Sequence, residues 1–331
     1  MNKNEIINLF KSFNNQNVLI IGDVMIDAYY FGKVERISPE APVPIVSVNG
    51  KENRLGGAAN VALNIKALGA TPILCSVIGN DREAEKFNEL LEDANLTSEG
   101  ILMSDDRITT VKTRIIGNKH QVIRVDSEKD TPLSDEEHEA LKIKIETIIA
   151  DNNIDVVIFQ DYDKGVITPK LIDLVVEICN NKNIPTAVDP KKRNFNDFKG
   201  VSLFKPNLKE LKEGLNIEID PSNNQEVESA IDTLNSELKN KITFITLSEH
   251  GVFIKNGENK KQIPAHIRSI SDVSGAGDTV ISVASLCLAL NQPIEIIAEI
   301  ANLAGGLVCE SVGVVPIDKD QLLSEAISNL I

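Results

Sequence analysis

The chain has 331 residues, enough for one large α/β domain or two smaller ones, and 42% hydrophobic residues to build a substantial core. A formal net charge of −15 argues against non-specific binding to nucleic acid or an anionic membrane, and it obliges any anionic ligand to find a locally basic pocket. Cys75, Cys179, Cys287 and Cys309 lie far apart without a C-x-x-C pair, and His120, His138, His250 and His266 lack ligand spacing. This predicts free thiols in a reducing compartment and no structural zinc.

In chain order, Met1 to Asn17 is polar and lacks the apolar stretch of a signal peptide. A buried strand follows at Val18–Ile21, ending in Gly22 and Asp23. Helices are predicted at about Gly57–Leu68, Glu83–Ala94, Ser134–Ala150, Pro169–Asn180, Asn207–Glu213, Gln225–Leu238, Asp278–Leu290, Ile294–Cys309 and Lys319–Leu330. Core strands are predicted at Ile73–Ile78, Val156–Phe159, Thr186–Val188, Phe244–Leu247 and Val252–Ile254. The alternation implies an α/β fold with a mostly parallel sheet and helices on both faces. Tyr29–Val48 and Thr109–Asp126 break it with short β segments, which predicts a small sheet standing off the main one. The longest apolar stretch, Thr279–Leu290, is too short to span a bilayer, so the expectation is a cytoplasmic protein without a membrane partner.

Neither G-x-G-x-x-G after the first strand nor G-x-x-x-x-G-K-[ST] occurs, which excludes a dinucleotide-binding dehydrogenase and a P-loop kinase as far as motifs can. What does occur is a glycine-rich turn, Gly275-Ala276-Gly277, delivering the chain into an apolar helix with Asp278 in its first turn. Backbone N–H groups there can approach an anion closely, and the helix dipole adds about half a positive charge. A carboxylate beside such a cradle suits phosphoryl transfer to a hydroxyl, with Asp278 taking the proton and the N–H groups holding the phosphoryl oxygens. An ordinary capped helix start is the bland alternative. Asp23 and Asp27 flank the end of the first strand, where open α/β sheets place ligands, and carboxylates suit sugar hydroxyls. Gly56, Gly57 and Asn60 form a G-G-x-x-N start to the next helix. Asn207 and Glu210 share one helix face; they suit magnesium with waters and phosphates, or equally a capping box.

The D-x-x-G-A-G-D stretch from Asp272 to Asp278, with Asp27 and G-G-x-x-N, resembles the signatures of the ribokinase-like (PfkB-type) carbohydrate kinases, although Ser274 stands where many members have Thr. The resemblance implies a three-layer sandwich with a β-sheet lid (segments about 28–48 and 107–127) in one domain over residues 1–331. It implies Asp278 as catalytic base, Asp27, Gly57 and Asn60 on the sugar, and Asn207, Leu208, Lys209 and Glu210 around Mg²⁺ and the ATP phosphates. Ser248, Gly251 and Asn302 would lie on the nucleotide side. A K⁺ ion near Asp272 and Val273 is a further implied cofactor, and a homodimer through the lid the implied assembly.

A narrower resemblance is carried by GDVMIDAYYFG (22–32), RISPEAPVP (36–44), LGGAANVA (55–62), TVKTR (110–114), QVIRVD (121–126), DYDKG (161–165) and VDPK (188–191). These are similar to the heptose 7-phosphate kinase domains of bacterial ADP-heptose synthesis proteins. The implied reaction is ATP-dependent phosphorylation of the anomeric hydroxyl of D-glycero-D-manno-heptose 7-phosphate, for lipopolysaccharide core synthesis. Lys112, Arg114, Lys119, Arg124, Lys164, Lys191, Lys192 and Arg193 are candidates for the substrate phosphate, with Lys164 and Lys191 ranked highest and Arg114 and Arg124 reaching in from the lid. Asp126 and Tyr162 fall in the same motifs and complete the substrate-side set. Gln160 departs from the Ser often found before the Asp-Tyr pair. No nucleotidyltransferase domain is expected after the kinase, so a separate protein would act downstream. Open alternatives are the same chemistry on another sugar or sugar phosphate, and a non-catalytic sugar or nucleotide sensor.

Overall fold

Alternation of apolar residues sets the central sheet. In β1 (Asn17–Gly22), Val18 and Ile20 enter one hydrophobic cluster while Leu19 and Ile21 enter another, and all four are fully buried, so the strand must be covered on both faces. The structure, a computed structural model, describes residues 1–266 and 268–331. After α1 (Lys3–Ser12) and β1 come β2 (Val24–Ile37), β3 (Pro44–Gly57), α2 (Ala58–Ala67), β4 (Thr71–Gly79), α3 (Arg82–Asp93), β5 (Ile101–Ser104), β6 (Val111–Gly117) and β7 (His120–Ser127). The chain continues with α4 (Asp135–Asp151), β8 (Val156–Gln160), α5 (Pro169–Lys182), β9 (Thr186–Asp189), β10 (Leu203–Phe204), α6 (Leu208–Leu215) and α7 (Asn224–Leu238). It closes with β11 (Ile242–Thr246), β12 (Val252–Asn256), β13 (Asn259–Ile263), α8 (Ala276–Ala289), α9 (Ile294–Val308) and α10 (Lys319–Leu330).

The main sheet has nine strands in the order β13-β12-β11-β10-β9-β8-β1-β4-β5; β12 and β13 run antiparallel and the rest are parallel. One core packs α1, α2, α3, α8, α9 and α10 against the sheet, and the other packs α4 to α7 around Phe159, Phe195, Phe198 and Phe204. Every residue of α8 from Asp278 to Cys287 is buried, so this helix aims its N-terminus at a fixed point at the C-terminal edge of the sheet. Among the described residues, no helix is long and apolar enough to cross a membrane.

A separate four-stranded sheet, β3-β2-β6-β7, forms the lid. The sequence predicted a small sheet of short β segments here; the sheet is present, but β2 and β3 are fourteen residues each and run from Val24 to Gly57, so the lid grows directly out of the ligand edge of β1. The polar start of the chain, for which no element was predicted, is helix α1, begun by a capping box between Asn2 and Glu5 and docked by Ile6, Leu9 and Phe10. The short strands β5, β10 and β13 carried too little pattern to be predicted.

Candidate active site

Each lid strand shows one face to the body, and the register fixes which residues share it. Arg54, Asp27, Lys112 and Asp126 lie side by side across the sheet, and Glu52, Tyr29, Arg114 and Arg124 form the next row. This face turns toward the body, since Arg54 Nη1 donates to the Val314 carbonyl at 3.1 Å and Lys112 Nζ lies 5.9 Å from the centroid of the Tyr162 ring. The opposite face is largely apolar on β2, β6 and β7, with Tyr30, Ile115 and Ile123 in one row and Ala28, Thr113 and Val125 in another, and polar on β3, which adds Lys51 and Asn53 to them; Ile123 and Val125 are 54% and 52% exposed.

Below the lid, Asp278 is 4% exposed and surrounded by donors. Its Oδ2 accepts from Asn60 Nδ2 at 2.7 Å, and its Oδ1 accepts from the Tyr162 hydroxyl at 2.7 Å and from Gln160 Nε2 at 3.1 Å. Burial pushes the Asp278 carboxyl up to about 6, with the Asn60 and Tyr162 hydrogen bonds pulling the other way. The Tyr162 hydroxyl is driven well above its ordinary value by burial and by Asp278, so it stays protonated and donates. Gln160 Nε2 also reaches Asp189 Oδ2 at 3.3 Å, and that oxygen holds Lys205 Nζ at 3.1 Å in an ion pair whose two side chains are only 5% and 2% exposed.

Local chemistry explains the helix start. Gly275 has φ +82°, a left-handed conformation that glycine alone takes without strain, and a Cβ there would sit 3.0 Å from Asn60 Nδ2. Asp272 locks the approach, accepting at Oδ1 from Ser274 N and Oγ at 3.0 and 2.8 Å and at Oδ2 from Gly313 N at 3.0 Å. The N–H groups of Gly277 and Asp278 fall in the first turn of α8, where no intrahelical carbonyl is available to them. They face a cleft of about 740 Å³ lined by Tyr162, Asp189, Lys191, Lys205, Asn207 and Asp278, among others. The volume is in the range of small-molecule sites.

The residues expected around the nucleotide divide. Asn207, Leu208, Lys209 and Ser248 line the cleft with Gly275 and Gly277. Gly251 and Asn302 do not: Gly251 packs against the Ile263 carbonyl, and Asn302 donates to the Pro264 carbonyl at 3.0 Å, so both hold the loop after β13. Asn207 and Glu210 form a reciprocal capping box, each backbone N–H at 2.8 Å from the other's side chain, and the second Glu210 oxygen pairs with Lys191. Lys191 thus lines the cleft beside Glu210, with its Nζ 5.6 Å from the centroid of the Tyr162 ring. Burial alone would depress its ammonium, but Asp189 and Glu210 raise it above the ordinary lysine range.

Magnesium carried by ATP fits this wall through water. Asp189 Oδ1 is buried with no hydrogen-bond partner on the cleft side of the base, while both Glu210 oxygens are engaged. Among the described residues no cluster of three or more His, Cys, Asp or Glu could hold a metal ion.

On the sugar side, Asp27 pairs with Arg114, and Gly56 lets them pack, since a Cβ there would sit 2.2 Å from Asp27 Oδ2. Asp23 is corrected from ligand to scaffold. It is 1% exposed, and its oxygens accept the backbone N–H groups of Tyr162, Lys164 and Val166 at 2.9, 3.1 and 3.0 Å, fixing the turn that carries Tyr162. Gly57 lies at the hinge, its missing Cβ leaving room for the Asp23 carbonyl. Arg124 is paired with Asp126 at 2.9 Å, Lys164 with Glu128 at 2.8 Å and Arg193 with Asp130 at 3.0 Å. Lys112 makes no ion pair among the described residues; burial first and Lys164 second lower its ammonium below the usual lysine value. Sequence reasoning missed Asp189 and Lys205 as site residues, and passed over Gln160 as a mere departure. A polar residue closing each of three apolar runs at the ligand edge was the available signal.

A pfkB family carbohydrate kinase model matches residues 15–320. The bifunctional protein HldE of Methylobacillus flagellatus is 38% identical over 308 residues, 93% of this chain and 62% of the relative. That of Wolinella succinogenes is 38% identical over 296 residues, 89% of this chain and 61% of the relative. The chain thus spans about three fifths of the length of these relatives. Among solved structures, Escherichia coli phosphofructokinase-2 in complex with substrates and products aligns with a TM-score of 0.78 at 20% identity, covering 95% of this chain and 99% of that one. Arabidopsis thaliana ribokinase complexed with ribose and ATP gives 0.71 at 17%, covering 93% and 98%. These likenesses establish the ribokinase-like fold alone. With the family model matching nearly the whole chain, the protein belongs to the pfkB family of carbohydrate kinases, phosphotransferases that act on sugars.

Proposed function

We propose that the protein transfers the γ-phosphoryl group of ATP to the anomeric hydroxyl of D-glycero-D-manno-heptose 7-phosphate, giving the 1,7-bisphosphate. The observation that carries the phosphorylated acceptor is Lys112. It is half-buried and unpaired among the described residues, on the lid face above Tyr162, whose hydroxyl touches the base. A half-buried lysine without an ion pair, whose strongest charged neighbour is another lysine, is costly, and a phosphate dianion between Lys112 and Lys164 relieves this. The motifs at 22–32, 36–44 and 161–165 support heptose as the sugar.

Asp278 takes the hydroxyl proton, and the N–H groups at the start of α8 hold the phosphoryl oxygens as charge moves onto them. Lys205, held by Asp189, is a fixed cation beside the base that favours its ionised form, while the Asp189 carboxylate opposes it. Asp189 and Glu210 are the carboxylates that would help hold an Mg²⁺ carried by ATP, and the ion would supply charge neutralisation on the phosphates. A monovalent cation at the Asp272–Val273 loop is part of the same proposal. We assign one kinase domain to residues 1–331, a cytoplasmic location, a homodimer through the largely apolar lid face, and a downstream nucleotidyltransferase leading to ADP-heptose for lipopolysaccharide. Phosphorus NMR of the product tests the chemistry: a new phosphate coupled to the anomeric proton supports it, and one on any other carbon overturns it.

A further inference from the structure

A carboxylate offers about four lone-pair directions, two on each oxygen. On Asp278 three are occupied, and unequally. Oδ1 receives both the Tyr162 hydroxyl at 2.7 Å and Gln160 Nε2 at 3.1 Å, while Oδ2 receives only Asn60 Nδ2 at 2.7 Å. The oxygen with a vacancy, Oδ2, has as its one donor Asn60, which also borders the glycine turn: a Cβ on Gly275 would approach Asn60 Nδ2 to 3.0 Å. The opposite side is closed off by Gln160, which splits its amide between Asp278 and Asp189 and leaves its own Oε1 buried without a partner. That orphaned oxygen means the Gln160 amide is oriented by the two carboxylates alone.

We propose that Tyr162 and Gln160 are positioning residues for proton transfer: by filling Oδ1 of Asp278 they leave Oδ2 as the atom that takes the proton from the acceptor hydroxyl. The O–H bond of the acceptor breaks, its proton passes to Oδ2, and its electron pair forms the bond to the γ-phosphorus as the bond to the ADP oxygen breaks. The turn carrying Tyr162, which follows Gln160 at the end of β8, is set by Asp23, which holds the Tyr162, Lys164 and Val166 N–H groups. Thus a residue that touches no ligand fixes which oxygen reacts. The inference rests on the reading of Asp278 as base. The charged groups facing that base are Asp189 and Lys191 at the end of β9, Lys205 after β10, and Asp27 from the lid acting through Tyr162.

The test measures kcat, KM and the pH profile for Tyr162→Phe, Gln160→Leu, the double variant and Asp278→Asn. It uses Mg-ATP and whichever of heptose 7-phosphate, fructose 6-phosphate or ribose the unaltered enzyme phosphorylates fastest. A general base contributes about 10²–10⁴-fold, so losing part of its orientation should lower kcat about 10- to 100-fold with KM for the sugar within about 3-fold. Each single variant should also move the acid limb to higher pH, since a donor to the carboxylate is lost. The double variant should lose little more than the worse single, because both donors serve one oxygen. Tyr162→Phe and Gln160→Leu with kcat within about 2-fold, beside an inactive Asp278→Asn, would overturn the positioning role alone. A raised KM at unchanged kcat would make Tyr162 a substrate contact and overturn it equally. Turnover surviving in Asp278→Asn would remove the base and this inference together.

Discussion

Replacing Lys112 by Met keeps the length of the side chain on the lid strand and removes only its charge. The effect follows from the surroundings of the ammonium, which is half-buried and has another cation, Lys164, as its strongest charged neighbour. At about 4 Å and an effective dielectric of about 20, one ammonium attracts one phosphate charge by roughly 4 kcal/mol. Desolvation of both groups and the remaining Lys164 reduce the net loss to about 2 kcal/mol, in line with hydrogen bonds to charged groups. That corresponds to about a 30-fold fall in kcat/KM. The contact is present in ground state and transition state alike, so the fall should appear in KM for the sugar phosphate, with kcat and KM for ATP within about 3-fold. A coupled ADP-release assay reads all three. An unchanged KM for the phosphorylated acceptor, or an equal rise in KM for ATP, would refute the placement of the substrate phosphate at Lys112.

Because Asp278 must be ionised to accept a proton and its carboxyl is pushed up to about 6, kcat/KM should fall as pH drops through about 6; a rate–pH profile flat to pH 5 would contradict this. Lys205→Met leaves Asp189 as an unpaired buried charge and should destabilise the fold by about 3–5 kcal/mol, with Asp189→Asn in the same chain restoring part of it in urea unfolding. The same Lys205 change should move the acid limb upward, since this cation favours the ionised base. Ile123→Asp with Val125→Asp should convert a dimer to monomer in sedimentation equilibrium; an unchanged mass would place the interface elsewhere.

The sequence made the three-layer architecture legible because strand and helix periodicities alternate cleanly from Val18 onward, and because the turn at Gly275 needs glycine for a stated physical reason. The lid was legible as β structure but not in extent: β2 and β3 mix charged and apolar residues, since one face meets the active site and the other is largely apolar on β2 and polar on β3. Asp23 and Asp27 look alike in sequence, both shortly after the first apolar run, yet one is consumed by backbone N–H groups and the other lies in β2 on the body-facing side of the lid. Only the return of the 160–166 turn to Asp23 distinguishes them, and that contact spans well over a hundred residues. The same holds for cations. Arg114, Lys164 and Lys191 each have a carboxylate partner distant in sequence and Arg124 has Asp126 two residues on, whereas Lys112, Lys119 and Lys192 have no ion pair among the described residues, and of these three Lys112 lies on the lid face above Tyr162.

The most direct measurement is ADP release with Mg-ATP across heptose 7-phosphate, sedoheptulose 7-phosphate, fructose 6-phosphate and ribose. Turnover concentrated on heptose 7-phosphate is the predicted result. Preference for ribose would leave Lys112 and Lys164 without a purpose in the site, and absence of turnover on every acceptor would contradict the account as a whole.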